Sequence, residues 1–430
     1  MRTLIRGGHV IDPANGINGK FDVLISGAVI EKVEKTIRDA DEKTKVIDAS
    51  GHVISPGLID VHAHLREPGF EYKETIKTGT MAAAKGGFTT VVCMANTSPV
   101  NDSRSITEFI VKQAASEGSC RVLPCGAITR GLKGEELSDI GEMHQAGIVA
   151  LSDDGKSVRD AGLLKRGMEY SKIFGLPVIS HCEDETLSRG FVHEGLASLM
   201  TGLDTVPSIA EEIIVERDIA IAKYVDAPIH LTHISTAGSV DIIGRSKKKY
   251  KKVTCDTCPH YFMLSDEATL NFDTNTKVNP PLRSKRDVDA IRDGLRSGTI
   301  DMIATDHAPH EFASKDVEFN IAASGISGFE TALALSLSLV HDNLLSLEDL
   351  IRKMSLNPAK LLSLASGNLS VGAPADITVF NPAAEWVVDS TRFLSRGRNT
   401  PFHGWRLRGK NLLTIVAGRI VYRDSKYIKS

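Results

Sequence analysis

An α/β chain built on a (β/α)8 TIM barrel, with a small composite β-sandwich domain made from its two ends, is the fold this sequence predicts. Three observations carry it. First, 430 residues are too many for one small core but suit a barrel of about 250–300 residues with a satellite domain. Second, both ends of the chain read as short alternating strands broken by Gly and Asp-Pro turns. Third, the middle repeats a unit of apolar run, polar loop and helical pattern eight times, which is the signature of a parallel barrel.

In chain order, residues 1–54 contribute "TLIRGGHVID", "DVLISGAVIEKVE" and "KVIDASGHVISPG", the first part of the sandwich. Residues 55–365 carry the barrel. Its strands are expected at "GLIDVHAH", "FTTVVCMAN", "CRVLPCGAI", "GIVALSDD", "LPVISHCED", "APIHLTHIS", "KVTCDTCPHYF" and "TIDMIATDHAPH". Helix-patterned stretches such as "YKETIKTGTMAAAKGG", "SRSITEFIVKQAASEG" and "AGLLKRGMEYSKIFG" lie between them, each closed by Gly as helices often are. Residues 366–430 return to strands with "ADITVFNP", "EWVVD" and "LLTIVAGRIVYRD", so both termini belong to one sheet domain.

Polar residues collect where barrel chemistry is done, at the C-terminal ends of the strands. The first strand ends in His62-Ala63-His64, followed by Arg66. Alternate residues of a strand share a face, so two imidazoles and a guanidinium point the same way and repel unless something binds them. A metal ion is the usual reason. Later strand ends add Asn96, the Asp153-Asp154 pair, His181, His233, and Asp306 with His307 and His310. Singly, each has a plainer explanation: His181 or His233 as a hydrogen-bonded core histidine, Asp306 as the cap of the next helix. Together, four histidines and two aspartates converging on one barrel mouth are what a two-metal site requires, with imidazole and carboxylate donors that suit zinc. Sequence alone does not separate Asp153 from Asp154 as the shared carboxylate.

Other features are set aside. "DDGKS" lacks the Gly that a phosphate-binding loop needs five positions before Gly155, where Ala150 stands. Cys255 and Cys258 form a lone CxxC inside a predicted strand, and Cys182 beside His181 reads as packing rather than as a nucleophile. The basic run "RSKKKYKK" at 245–252 reads as a solvated helix end. A net charge of −3, from 51 basic and 54 acidic residues, gives no field for nucleic acid or an anionic membrane. No apolar stretch approaches a membrane span or a signal peptide, and six cysteines make no disulfide framework. A cytoplasmic enzyme acting on a small molecule is the expectation.

The motifs "GLIDVHAHLREPG", "MANTSP", "SDDG", "HCED", "THIST", "CPHYF", "KVNPPLR" and "ATDHAPH" resemble the amidohydrolase superfamily and, within it, the long class I bacterial dihydroorotases. The resemblance runs from "GGHVIDP" to "NTPFHGWRLRGKNLLTIVAGRIVY". It implies zinc, one or two ions per chain with two favoured. His62, His64 and Asp306 would hold the more buried ion, His181 and His233 the second, and Asp154 would bridge them. It implies substrate contacts from His64, Arg66, Asn96, Asn279, His310 and the Ser324-Gly325 backbone, with Asp306 as general acid/base. Two departures stand out. An Asp takes the place of the carbamylated lysine that bridges many relatives, although Lys156 lies nearby, and Ser324 stands where the family commonly has an aromatic residue. The implied reaction is reversible, zinc-dependent interconversion of dihydroorotate and carbamoyl aspartate. The alternatives are a hydantoinase- or allantoinase-type cyclic amidase, or a non-catalytic assembly partner. A homodimer, and association with aspartate carbamoyltransferase, are the partner expectations.

Overall fold

The computed structural model describes residues 2–38 and 41–426. The chain opens with five strands: β1 Arg2–Asp12, β2 Ile17–Ser26, β3 Val29–Glu34, β4 Lys45–Asp48 and β5 Val53–Pro56. Then come β6 Leu58–Ala63, β7 Phe88–Cys93, β8 Arg121–Gly126, β9 Ala150–Leu151 and β10 Val178–Ser180. A short pair, β11 Val192–His193 and β12 Thr205–Val206, interrupts the series before β13 Ile229–Leu231, β14 Val253–Thr257 and β15 Met302–Ile303. The chain closes its strands with β16 Ile377–Val387, β17 Arg406–Val416 and β18 Arg419–Arg423.

Strands β6–β10 and β13–β15 form one parallel eight-stranded sheet in which neighbours follow chain order. They are the eight runs expected from the sequence. Every residue of β6 and β7 is buried, as expected where helices cover the outside and side chains fill the inside. The first and eighth strands come together through a bridge between Ala63 and His307. His64 N donates to His307 O at 2.9 Å. The buried Asp60 accepts from Thr305 N at 2.9 Å and from its hydroxyl at 2.5 Å. Closure thus falls at the strand ends that carry the HxH pair and Asp306.

The helices start and stop where local chemistry says they should. Thr75 caps the helix Ile76–Gly86 in a capping box, and Gly87 ends it at φ 97°. Helices Arg104–Glu117 and Ala161–Ile173 occupy the other two expected stretches. Their apolar faces join the strands in the largest core, where Leu58 and Val91 meet Ile76, Ile110, Leu163 and Leu337.

Apart from β11 and β12, which pair only with each other, the remaining strands make a second sheet in the order β18-β17-β16-β5-β1-β2-β3, with β4 paired to β1. Ile5, Val23 and Ile25 from the start of the chain share its core with Ile377, Val379 and Ile415 from the end. The basic run is a solvated helix end, with Arg245, Lys248, Lys249 and Lys251 exposed, while Lys247 pairs with Asp301 and Lys252 with Asp226 at 2.7 Å.

Candidate metal centre and binding pocket

The barrel mouth is lined by a cavity of about 460 Å³ whose wall includes His64, Arg66, Asn96, Asp154, His181 and His233. Asn279, Asp306, His310, Ser324 and Gly325 complete the expected set on the same wall. His62 lies just beneath, 3.1 Å from Asp154.

At the floor, His62, His64, Asp154, His181, His233 and Asp306 are all buried, none more than 7% exposed. Asp154 is central. Its Oδ1 lies 3.1 Å from His62 Nε2, 3.7 Å from His181 Nδ1 and 3.6 Å from His233 Nε2, while Oδ2 lies 3.5 Å from His64 Nε2. Asp306 Oδ1 sits 3.1 Å from His64 Nε2 and 3.7 Å from His62 Nε2. Donor atoms of His62, His64 and Asp306, and of His62, Asp154 and His233, each lie close enough together to hold one ion. The arrangement fits a cation on its own evidence: His62 Nε2 is buried without a hydrogen-bond partner, and His181 Nδ1 faces His233 Nε2 at 2.9 Å.

The adjacent Asp153 does something else. Its carboxylate accepts from Ile128 N, Thr129 N and the Thr129 hydroxyl, holding the loop after β8. Lys156 is exposed to solvent. Cys182, Cys255 and Cys258 are buried free thiols whose pKa values burial pushes up, so none is a nucleophile.

Hydrogen bonds outside the cluster decide which ring nitrogen points inward. His62 Nδ1 contacts the Thr232 hydroxyl at 2.7 Å, and that hydroxyl donates to Asp256 at 3.0 Å. His62 therefore keeps its Nδ1 proton and turns Nε2 inward. His64 Nδ1 donates to Asn96 Oδ1 at 2.9 Å. His181 Nε2 donates to Glu183 at 2.9 Å, and Glu183 also accepts from Asn279 Nδ2 at 3.0 Å. Asn96, expected to meet substrate, has its amide spent between His64 and Asp154, to which Nδ2 donates at 3.3 Å.

Charge follows the same geometry. Burial alone would lower the His62 and His181 pKa values. The Asp154 and Asp306 charges lift His62 to about 9, and Asp154 with Glu183 lift His181 to about 10. Burial raises the carboxyls of Asp154 and Asp306, but the surrounding imidazoles outweigh it and hold both well below the usual carboxylate range. The same contest brings Glu183 down to about 2.

On one side wall stands Arg66. Its guanidinium has two long contacts, Nε to Pro309 O at 3.4 Å and Nη2 to His310 Nε2 at 3.3 Å. Among the described residues no carboxylate reaches it within ion-pair distance, so most of its five donors stay open toward the cavity. Burial, then Arg66 and Lys73, push His310 down to about 2, so its ring is neutral. Arg66, His233 and Asp306 all have left-handed backbones, with φ of 62°, 42° and 44°. Such residues persist only where neighbours fix them, as Asp256 does by accepting from His233 N at 2.6 Å.

Glu183, Thr232 and Asp256 escaped assignment from the sequence. Glu183 carries a legible signal, two places after His181 and therefore on the same side of the strand end. Asp256 and Thr232 carry none, since their roles depend on β13 and β14 being neighbours.

The dihydro-orotase-like family matches residues 51–239, and the amidohydrolase family matches residues 286–422. A dihydroorotase of Syntrophus aciditrophicus is 50% identical over 425 residues, covering 99% of this chain and 100% of the relative. One from Acetivibrio thermocellus is 51% identical over 423 residues, covering 98% and 99%. Solved structures with the same fold include the dihydropyrimidinase of Brevibacillus agri, at TM-score 0.86 and 24% identity over 98% of this chain and 95% of that one. L-hydantoinase of Arthrobacter aurescens aligns at TM-score 0.88 and 23% identity over 98% and 96%. Family and donor set together are consistent with a metal cofactor.

Proposed function

We propose a reaction from one premise, that this chain belongs to the dihydroorotase family of the amidohydrolases: it hydrolyses (S)-dihydroorotate reversibly to N-carbamoyl-L-aspartate, a step of pyrimidine biosynthesis. One observation carries the choice of ring. Arg66 presents open donors beside the metal-type cluster and, among the described residues, has no protein carboxylate to pair with, which suits a cyclic amide bearing its own carboxylate. A plain hydantoin or dihydropyrimidine would leave that guanidinium unpaired, at a cost of about 1–3 kcal/mol or more.

The cluster suits zinc, with two ions favoured: His62, His64 and Asp306 around one, His181 and His233 around the other, and Asp154 shared. Zinc bound there supplies Lewis acidity at the amide oxygen and acidifies water toward pKa ~7.

The protein's own groups do the rest. Arg66 receives the substrate carboxylate as a planar fork, with the neutral His310 beside it. The Asn279 amide, fixed by Glu183, and the Gly325 backbone face the ring. Asp306 is held as a carboxylate 3.1 Å from His64. It takes a proton from the attacking water and delivers it to the departing ring nitrogen. Asn96 keeps His64 and Asp154 in register. Because β6 carries His62, His64 and, just beyond, Arg66, one rigid element sets the distance from metal to substrate anchor, which lowers the barrier by positioning.

In this reading residues 55–365 are the catalytic barrel, and 1–54 with 366–430 the composite sheet domain. A cytoplasmic homodimer able to associate with aspartate carbamoyltransferase completes it, testable by light scattering with and without that partner. The test of function is metal content per chain paired with ring-opening rates on dihydroorotate, dihydrouracil and a hydantoin. Zinc with dihydroorotate-selective turnover is expected. Equal rates on rings without a carboxylate would reject the assignment.

A further inference from the structure

The wall of the pocket that faces Arg66 is not held by the barrel alone. Ala308 and His310 follow β15, and Gly325 arrives after a long loop; the two segments meet through Ala308 N to Ile326 O and His310 Nε2 to Ser324 O, both at 2.9 Å. Between them lies Asn399, which is 4% exposed and does not line the cavity. It comes from the connection between β16 and β17, in the other sheet. Its Oδ1 accepts from His310 N at 3.0 Å and from the Ser327 hydroxyl at 2.9 Å. Its Nδ2 donates to Ala308 O at 3.0 Å and to Gly325 O at 2.9 Å. All four positions of the amide are used, and two donors on one side with two acceptors on the other allow only one orientation. Its own carbonyl accepts from Ser327 N at 2.8 Å.

The segment bearing Asn399 is itself clamped to the barrel. Glu330 accepts from Leu394 N at 2.6 Å, and the fully buried Glu74 accepts from the Ser395 hydroxyl and from Arg396 N. A Cβ on Gly397 would lie 2.4 Å from Pro309 Cβ, so the segment runs directly against the strand end. Gly325 is equally confined: its φ is 139°, and an added Cβ would meet Ala308 Cβ at 2.6 Å.

We propose that Asn399 is a positioning residue for ring recognition, its four side-chain bonds locking His310 and Gly325 at the separation that the substrate spans. This rests on the reading of the cavity as a cyclic-amide site. The metal cluster is anchored separately, through Asp60 to Thr305 and through His307 O to His64 N. Loss of Asn399 therefore affects ring binding and leaves metal binding alone.

The test compares wild type with Asn399→Asp, which keeps the shape but places a carboxylate against two carbonyls. Metal content, KM, kcat and the melting temperature are measured on zinc-loaded protein. KM for dihydroorotate should rise about 10- to 100-fold, as expected for buried polar groups left unpaired, with kcat within about 3-fold and metal content unchanged. An unchanged KM overturns the proposal, as does a loss that appears only in kcat or only in step with metal loss. If Asn399→Asp does not fold, Ser327→Ala, which deletes one donor to Oδ1, carries the test. Its KM should rise about 2- to 12-fold by the net worth of one hydrogen bond, and no rise overturns the idea. A wild type that opens a different ring would sink the substrate assignment alone, and the same split is then read on that ring. A wild type that binds and opens no ring overturns both.

Discussion

Replacing Arg66 with Met removes the guanidinium while keeping most of the side chain's bulk. In the structure this side chain gives up little to its protein neighbours, since its two contacts are 3.3 and 3.4 Å long. What it loses is the bond to substrate. A charge-assisted hydrogen bond contributes about 1.5–3 kcal/mol, and a bidentate carboxylate pair has two, or about 3–6 kcal/mol. At 1.4 kcal/mol per decade, kcat/KM for dihydroorotate should fall about 10²- to 10⁴-fold. Arg66→Lys keeps the charge without the fork and should lose about 10- to 100-fold. The decisive assay uses dihydrouracil, the same ring without the carboxylate. Wild type should prefer dihydroorotate by at least ~10². Arg66→Met should bring the two substrates close together by lowering only the first. Equal losses on both substrates, with zinc content intact, would refute the argument, because they would place Arg66 in the chemistry rather than in recognition.

Four further outcomes are expected. Asp306→Asn should lower kcat by at least about 10²-fold while circular dichroism stays native; near wild-type turnover would remove Asp306 from the proton path. Glu183→Gln should weaken zinc binding about 10- to 100-fold, read by competition with a chromogenic chelator, and unchanged affinity would show that His181 needs no partner. The metal-stripped protein should melt at lower temperature as pH rises. His62 and His181 have folded pKa values lifted to about 9 and 10. Their stabilisation is thus fully present below the unfolded value of ~6.5 and is lost as pH climbs through 9 to 10. Zinc uptake at pH 7.5 should correspondingly release protons, measurable with a pH indicator.

Much of this was legible in advance because the barrel writes itself as local patterns. The eight strands announced themselves as apolar runs, and His62, His64 and Asp306 stood out because strand ends are where a barrel places function. The choice between Asp153 and Asp154 was not legible. Both sit at the end of β9, and only the packing of the 128–129 loop decides which carboxylate turns to the backbone and which to the histidines. Asn96 lines the cavity, but its hydrogen bonds go to His64 and Asp154, which spacing could not foretell. Asn399 opens the "NTPFHGW" stretch that carries part of the resemblance, yet nothing in the sequence directs it to the pocket. It lies 89 residues from His310, and its role exists only once two sheets are docked.

That docking has a consequence for how the protein is made. The strands β1 and β5 precede the barrel in the chain, but β16, to which β5 is paired, follows more than 300 residues later. Domains tend to fold as their last element emerges. Here the barrel can gather its histidines and aspartates early, while the ring-recognition wall waits for residue 399. A chain released short of that point carries the donor set for a metal and lacks the amide that shapes the pocket. On this reading the wall that selects the ring is the last part of the site to be completed as the chain is synthesised.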